Sequence, residues 1–180
     1  MQVIPTRFAG LFILEPKVFG DHRGYFFESY RQDVFEAAAG PIAFVQDNES
    51  MSNRGILRGL HFQNPPYAQG KLVRVVQGAV LDVAVDVRKD SPTYGEHIAI
   101  ELSAENKTML YVPPGFAHGF YTLQDQTIFQ YKCTGFYHPQ AEVSLAWNDP
   151  HLAIQWPDLN PILSAKDVNG LSFSGFSSPF

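Results

Sequence analysis

Hydrophobicity along this chain comes in short bursts. Apolar runs at residues 10–17, 24–30, 56–63, 71–77, 80–87, 97–102, 108–112, 119–123 and 127–133 are each broken by Gly, Pro, Asn or Asp. Many short strands separated by turn residues are the pattern of an all-β sandwich or barrel. Two runs alternate cleanly enough to assign faces. Along 80–87, Leu81, Val83, Val85 and Val87 share one side while Asp82, Ala84 and Asp86 share the other. Along 127–133, Thr127, Phe129, Tyr131 and Cys133 point one way and Ile128, Gln130 and Lys132 the other, which puts Tyr131 among mostly apolar neighbours. Only residues 32–39 have helical character, closed by Gly40-Pro41. From residue 151 onward Pro, Asn and Ser predominate, predicting coil and short turns packed over the domain, with residues 172–180 loose at the end.

Composition narrows the class. A chain of 180 residues fits one compact domain, 1–180, with enough length for a substantial core, and its 15 Phe and 8 Tyr suit strands. A net charge of -5 argues against nucleic acid as a partner. Cys133 is the only cysteine, so neither a disulfide framework nor a Cys-rich zinc site is expected, and a reducing, cytoplasmic setting is. Pro5, Arg7 and Glu15 interrupt the first apolar stretch, so neither a signal peptide nor a membrane partner is expected.

One segment runs against the acidic balance. Residues 51–81 carry Arg54, Arg58, Lys71 and Arg74 without a carboxylate, which favours an anionic ligand, and Arg suits a phosphate or diphosphate through paired hydrogen bonds. Arg54 and Arg74 read as solvated strand-edge charges. Arg58, flanked by Leu57 and Gly59-Leu60-His61, reads as a ligand contact. Arg58 and His61 are an odd number of positions apart, so both can face one pocket only if a bulge or twist near Gly59 breaks the alternation.

Pro113-Pro114-Gly115-Phe116-Ala117-His118 matches the P-x-G-x-x-H turn of the cupin double-stranded β-helix, which delivers a His into the barrel mouth. Metal-binding cupins place H-x-H and then a Glu upstream. Here that place reads His61-Phe62-Gln63 with Lys71 beyond it, so no metal site is expected.

Taken together, RGYFFESY (from Arg23), VQDNES (from Val45), ILRGLHFQNPPYAQGKLVR (from Ile56), LDVAVDVRKDSPTYG (from Leu81), VPPGFAHGF (from Val112), YKCTGFY (from Tyr131), WNDP (from Trp147) and LSAKD (from Leu163) resemble the dTDP-4-dehydrorhamnose 3,5-epimerase family, in order over nearly the whole chain. The resemblance implies a cofactor-free, metal-free cupin, a jelly-roll barrel with a few short helices. Its substrate would be dTDP-4-dehydro-6-deoxy-D-glucose, inverted at carbons 3 and 5 through an enolate on the route to dTDP-L-rhamnose.

By the same resemblance His61 is the base, Asp167 its orienting carboxylate, Tyr131 the acid on the opposite face and Lys71 the partner of the enolate oxygen. Arg23, Gln46, Asn48, Arg58, His118 and Lys166 match contacts to diphosphate and sugar. Phe26, Glu28, Tyr137 and Glu142 match the nucleoside side, with Tyr137 stacking on thymine. A homodimer is implied, in which Arg23, Phe26 and Glu28 reach the neighbouring subunit's site. Two departures from the family pattern stand beside these residues: His22 before Arg23, and Glu49 after Asn48, where a carboxylate near a diphosphate would oppose binding. A single-carbon epimerase, a 3,4-ketoisomerase, a metal-dependent cupin and a non-catalytic sugar-binding cupin remain alternatives. Each residue also has a structural alternative: His61, His118 and Phe26 as core side chains, Tyr131 as an ordinary strand tyrosine, Asp167 as a turn cap.

Overall fold

Strand alternation sorts the side chains of this protein into layers. The computed structural model describes residues 1–180. Its strands are β1 (Gln2–Pro5), β2 (Phe12–Glu15), β3 (Phe19–Asp21), β4 (Gly24–Phe26), β5 (Gln46–Ser52), β6 (Leu57–Gln63), β7 (Lys71–Gln77), β8 (Ala79–Asp86), β9 (His97–Ser103), β10 (Met109–Val112), β11 (Phe116–Thr122), β12 (Thr127–Cys133) and β13 (Glu142–Ser144). Two α-helices, α1 (Gln32–Ala39) and α2 (Ala165–Val168), and two short 3-10 turns, Pro139–Ala141 and Phe173–Gly175, complete the set. One sheet runs β1-β2-β10-β7-β12-β5, the other β13-β6-β11-β8-β9, and β3 with β4 forms a separate hairpin.

The inner layer joins Val73 and Val75 of β7, Leu110 and Val112 of β10 and Phe129 of β12 to Val80, Ala84, Leu102, Phe116 and Phe120 of the other sheet. Outside the six-stranded sheet, Phe12, Leu14, Leu72, Met109 and Tyr111 are covered by Phe35, the buried residue of α1. Outside the five-stranded sheet, Leu57, Leu60, Phe62, Val83, Val85, Ala117 and Tyr121 are covered by Leu145, Leu152, Trp156 and the C-terminal aromatics. Each sheet thus carries apolar side chains on both faces, and both faces must be shielded from water.

That requirement corrects the expectation of a loose tail. Phe176 and Phe180 stand 5.5 Å and 5.9 Å from the Phe62 ring, and the Lys89 N–H donates to the Phe180 carbonyl at 3.1 Å. The Ser178 hydroxyl also donates to the Val87 carbonyl. Serine content made this segment read as free, whereas its phenylalanines close the outer core. The run at 24–30 also shortens, contributing only Gly24–Phe26 to a hairpin. Conversely, β5 went unread because its sequence QDNESMS is polar on both faces.

The expected break at Gly59 is present. His118 pairs with His61 and Phe120 with Arg58, so Gly119 alone faces Gly59 and Leu60 together. Gly59 has φ of +135°, and a Cβ there would lie 2.5 Å from the Gly119 Cα. A Cβ on Gly119 would in turn lie 2.7 Å from the Arg58 carbonyl oxygen. This bulge turns Arg58, His61 and Gln63 to the inner side, where all three line one cavity, while Leu57, Leu60 and Phe62 pack in the outer core. Gly59→Ala is therefore expected to cost about 3 kcal/mol or more, from overpacking and unfavourable backbone together. Urea unfolding should show a lower midpoint at unchanged slope.

Candidate active site

Between the sheets, at the end left free by the inner apolar layer, lies a cavity of about 610 Å³. That is a volume suited to a small-molecule ligand. The five-stranded sheet supplies Arg58, His61, Gln63, His118 and Phe120; the six-stranded sheet supplies Gln46, Asn48, Ser50, Lys71, Phe129 and Tyr131. Tyr137, Glu142 and residues 162–164, 166 and 167 complete the wall.

His61 and Asp167 meet at 2.5 Å between Nε2 and Oδ1. The Asp167 carboxyl is itself held: the Ser164 hydroxyl donates to Oδ2 at 2.6 Å, and the Asp167 N–H donates back to Ser164 at 3.3 Å, capping α2. Burial works against ionisation of Asp167, but the bonds from His61 and Ser164 outweigh it and keep the carboxyl below its ordinary pKa. An ionised Asp167 only accepts, so Nε2 carries the shared proton and the other ring nitrogen keeps its lone pair. For His61, burial lowers the pKa first; Asp167 pulls it back up, and the Lys166 and Lys71 ammonium groups push it down again. The net direction is down, which favours the neutral imidazole.

A second His–carboxylate pair stands beside the first. His118, directly opposite His61 in the strand pairing, brings Nε2 within 3.0 Å of both oxygens of the fully buried Asp82. Lys71 lies 5.9 Å from the centre of the Tyr131 ring, on the strand next to it. Burial lowers the Lys71 pKa, and burial likewise raises that of the Tyr131 hydroxyl, keeping it protonated. At the rim, Glu142 accepts from Lys166 at 2.8 Å and from the Tyr137 hydroxyl at 2.9 Å. Burial opposes a charge on Glu142, yet these bonds hold its pKa below the ordinary value.

Arg58 is anchored without a carboxylate, donating to Ser52 Oγ at 3.1 Å and the Met51 carbonyl at 3.4 Å. Its charge is left available to an anion. Gln63, which stands where metal cupins carry a ligand, spends its amide on the Tyr67 and Phe136 carbonyls and the His138 N–H. No group of three or more His, Cys, Asp or Glu side chains converges in a metal-holding arrangement.

Every site residue expected from sequence lines this cavity except Arg23, Phe26 and Glu28. Those three sit on and just after the β3–β4 hairpin, where Arg23 pairs with Asp21 and Glu28 with Arg31. The concern over Glu49 is corrected by alternation in β5. Gln46, Asn48 and Ser50 face the cavity, while Glu49 faces away and accepts from Gln130 at 2.6 Å. Sequence reasoning missed Ser164, though Ser164-x-x-Asp167 is a capping spacing. It also assigned no role to Asp82, whose face was already legible from the alternation of β8.

A two-sheet jelly roll with two histidine–carboxylate pairs, a tyrosine and cations lining its mouth defines a cupin-like protein. The family model described as dTDP-4-dehydrorhamnose 3,5-epimerase matches residues 5–174, and the chain belongs to that family. The enzyme of that name from Shigella flexneri is 55% identical over 174 residues, covering 96% of each chain. That from Salmonella typhimurium is 56% identical over 170 residues, covering 93% of each. The solved dTDP-6-deoxy-D-glucose-3,5-epimerase of Legionella pneumophila, in complex with dTDP-4-keto-L-rhamnose, superposes with a TM-score of 0.93 at 47% identity, over 98% of this chain and 94% of that one.

The cause of the His61 shift makes a signed prediction. In the free protein its imidazole should protonate below the ordinary value of about 6.5, so the acid limb of kcat/KM should fall below that pH. The unfolded chain takes up this proton first, so the residue costs stability as pH drops below about 6.5. Lys166→Met removes a cation that disfavours the imidazolium and should move the His61 midpoint upward in an NMR titration; a downward move would contradict the assignment.

Proposed function

We propose that this protein is a dTDP-4-dehydrorhamnose 3,5-epimerase that converts dTDP-4-dehydro-6-deoxy-D-glucose to dTDP-4-dehydro-L-rhamnose. One observation carries the reading: His61, oriented by a buried carboxylate, and Tyr131 enter one cavity from opposite sheets. Inversion at carbon requires that opposition, because the proton must leave from one face of the sugar and return on the other.

The carbon-4 ketone acidifies the protons at carbons 3 and 5. His61 removes one, and the electron pair moves through the new carbon–carbon double bond onto the carbon-4 oxygen. Lys71 stabilises that enolate oxygen, a preorganised interaction worth about 3 kcal/mol in comparable sites. The enolate collapses, taking the Tyr131 hydroxyl proton onto the opposite face, and solvent exchange resets both residues. Asp167 holds the imidazole in its basic tautomer and stabilises the imidazolium as it forms.

Arg58, His118, Gln46, Asn48 and Lys166 bind diphosphate and sugar, and Tyr137 with Glu142 receives the nucleoside. Residues 1–180 act as one functional domain without a cofactor. A cytoplasmic location suits its single, unpaired Cys133. No helix is long and apolar enough to cross a membrane.

The assembly we propose is a homodimer in which the hairpin serves the neighbouring site. Arg23 and Phe26 are 79% and 66% exposed, beside Phe19 and Tyr25, which are also exposed. Such a patch is the mark of an interaction surface. Mixing inactive His61→Ala and Arg23→Ala chains should then restore activity, because each mixed dimer holds one site with both residues intact. No restoration would remove the shared-site arrangement.

The reaction itself is tested by proton NMR of the substrate in deuterated water with chelator-stripped protein. Deuterium should enter at both carbons and fall by about 10²-fold to 10⁴-fold in His61→Ala. Exchange at one carbon would indicate a single-carbon epimerase, and none would leave a binding protein.

A further inference from the structure

Gln63 is buried, with 4% exposure, yet it does not wait for a ligand. Its Nε2 donates to the Tyr67 carbonyl at 2.6 Å and the Phe136 carbonyl at 3.2 Å, while Oε1 accepts from the His138 N–H at 2.7 Å. One amide therefore clamps the residues on both sides of Tyr137 and ties them to a second loop. The clamp is reinforced around it. The Tyr67 ring stacks on His138 with centroids 3.8 Å apart, Gln69 donates to the Gly135 carbonyl at 2.6 Å, and the Tyr137 N–H donates to Gln46 at 3.1 Å from the opposite sheet. In contrast to this pinned backbone, the Phe136 and Tyr137 side chains are 64% and 51% exposed.

A segment with fixed backbone and exposed rings is preordered for stacking, since little freedom is left to lose on binding. We propose that Gln63 is a positioning residue for the proposed reaction: it sets affinity for the thymidine diphosphate part of the ligand by holding Tyr137 over the cavity, without taking part in proton transfer. This rests on the reading that Tyr137 receives the nucleoside. It also gives a function to the position where metal cupins keep a ligand, since the Gln63 side chain hydrogen-bonds Tyr67 of the 64–70 loop together with both Phe136 and His138.

Gln63→Met removes all three hydrogen bonds without adding charge near the diphosphate. Thymidine diphosphate should bind about tenfold more weakly by calorimetry, and KM should rise alongside, with kcat within about twofold of wild type. A double-mutant cycle separates positioning from general loosening: in a Tyr137→Ala background, Gln63→Met should have little further effect, because both changes remove the same platform.

Equal weakening by Gln63→Met in both backgrounds, or a tenfold loss of kcat, would overturn the inference while leaving Tyr137 in its role. Unchanged binding by Tyr137→Ala alone would remove the nucleoside reading and this inference with it. Gln63→Leu provides a second variant should Met fail to fold. Unfolding of both would make Gln63 a stability residue and overturn the assignment too.

Discussion

Two glycines in contact set the chemistry of this protein. Where β6 crosses β11, the backbones of Gly59 and Gly119 approach so closely that neither position has room for a Cβ. The extra residue accommodated there shifts the phase of β6 midway along its length. Before the shift, Leu57 goes to the outer core and Arg58 to the cavity; after it, Leu60 and Phe62 go outward and His61 and Gln63 inward. A regular strand would send either Arg58 or His61 into the hydrophobic layer under Trp156, where an unpaired charge or basic ring is costly. The bulge lets one strand supply both an arginine and a histidine to the same cavity.

Charge is then distributed by partner rather than by count. Asp167 is committed to His61 and Ser164, Asp82 to His118, and Glu142 to Lys166 and Tyr137. The carboxylates near the cavity therefore have assigned counter-groups, while Lys71 and Arg58 have no carboxylate of their own. An anionic ligand enters a mouth whose negative charges are already engaged. Burial lowers the His61 pKa first, and the ammonium groups of Lys166 and Lys71 at the same mouth lower it further.

Much of this was readable from residues. Alternation in β8 and β12 correctly separated Val83 and Val85 from Asp82, and Tyr131 from Lys132. The odd spacing of Arg58 and His61 required an irregularity at Gly59, and it is there. The family resemblance supplied Asp167, which lies 106 positions from its histidine partner and which no local pattern connects to it. Polar strands such as β5 escaped notice because their inner face lines a cavity instead of a core, so the apolar signal is absent. The tail misled for the converse reason: its phenylalanines act one at a time on a distant sheet, without periodicity. Arg23, Phe26 and Glu28 stand apart because a single chain does not bring the hairpin to its own cavity.

The proposed mechanism divides labour between two faces, with His61 removing protons and Tyr131 returning them. Tyr131→Phe tests it most directly, by following deuterium entry and sugar configuration together in deuterated water. If His61 alone deprotonates, exchange continues while inversion falls away, because the enolate is recaptured on the face it came from. Inversion at both carbons at an undiminished rate would exclude this division, as would the loss of exchange itself.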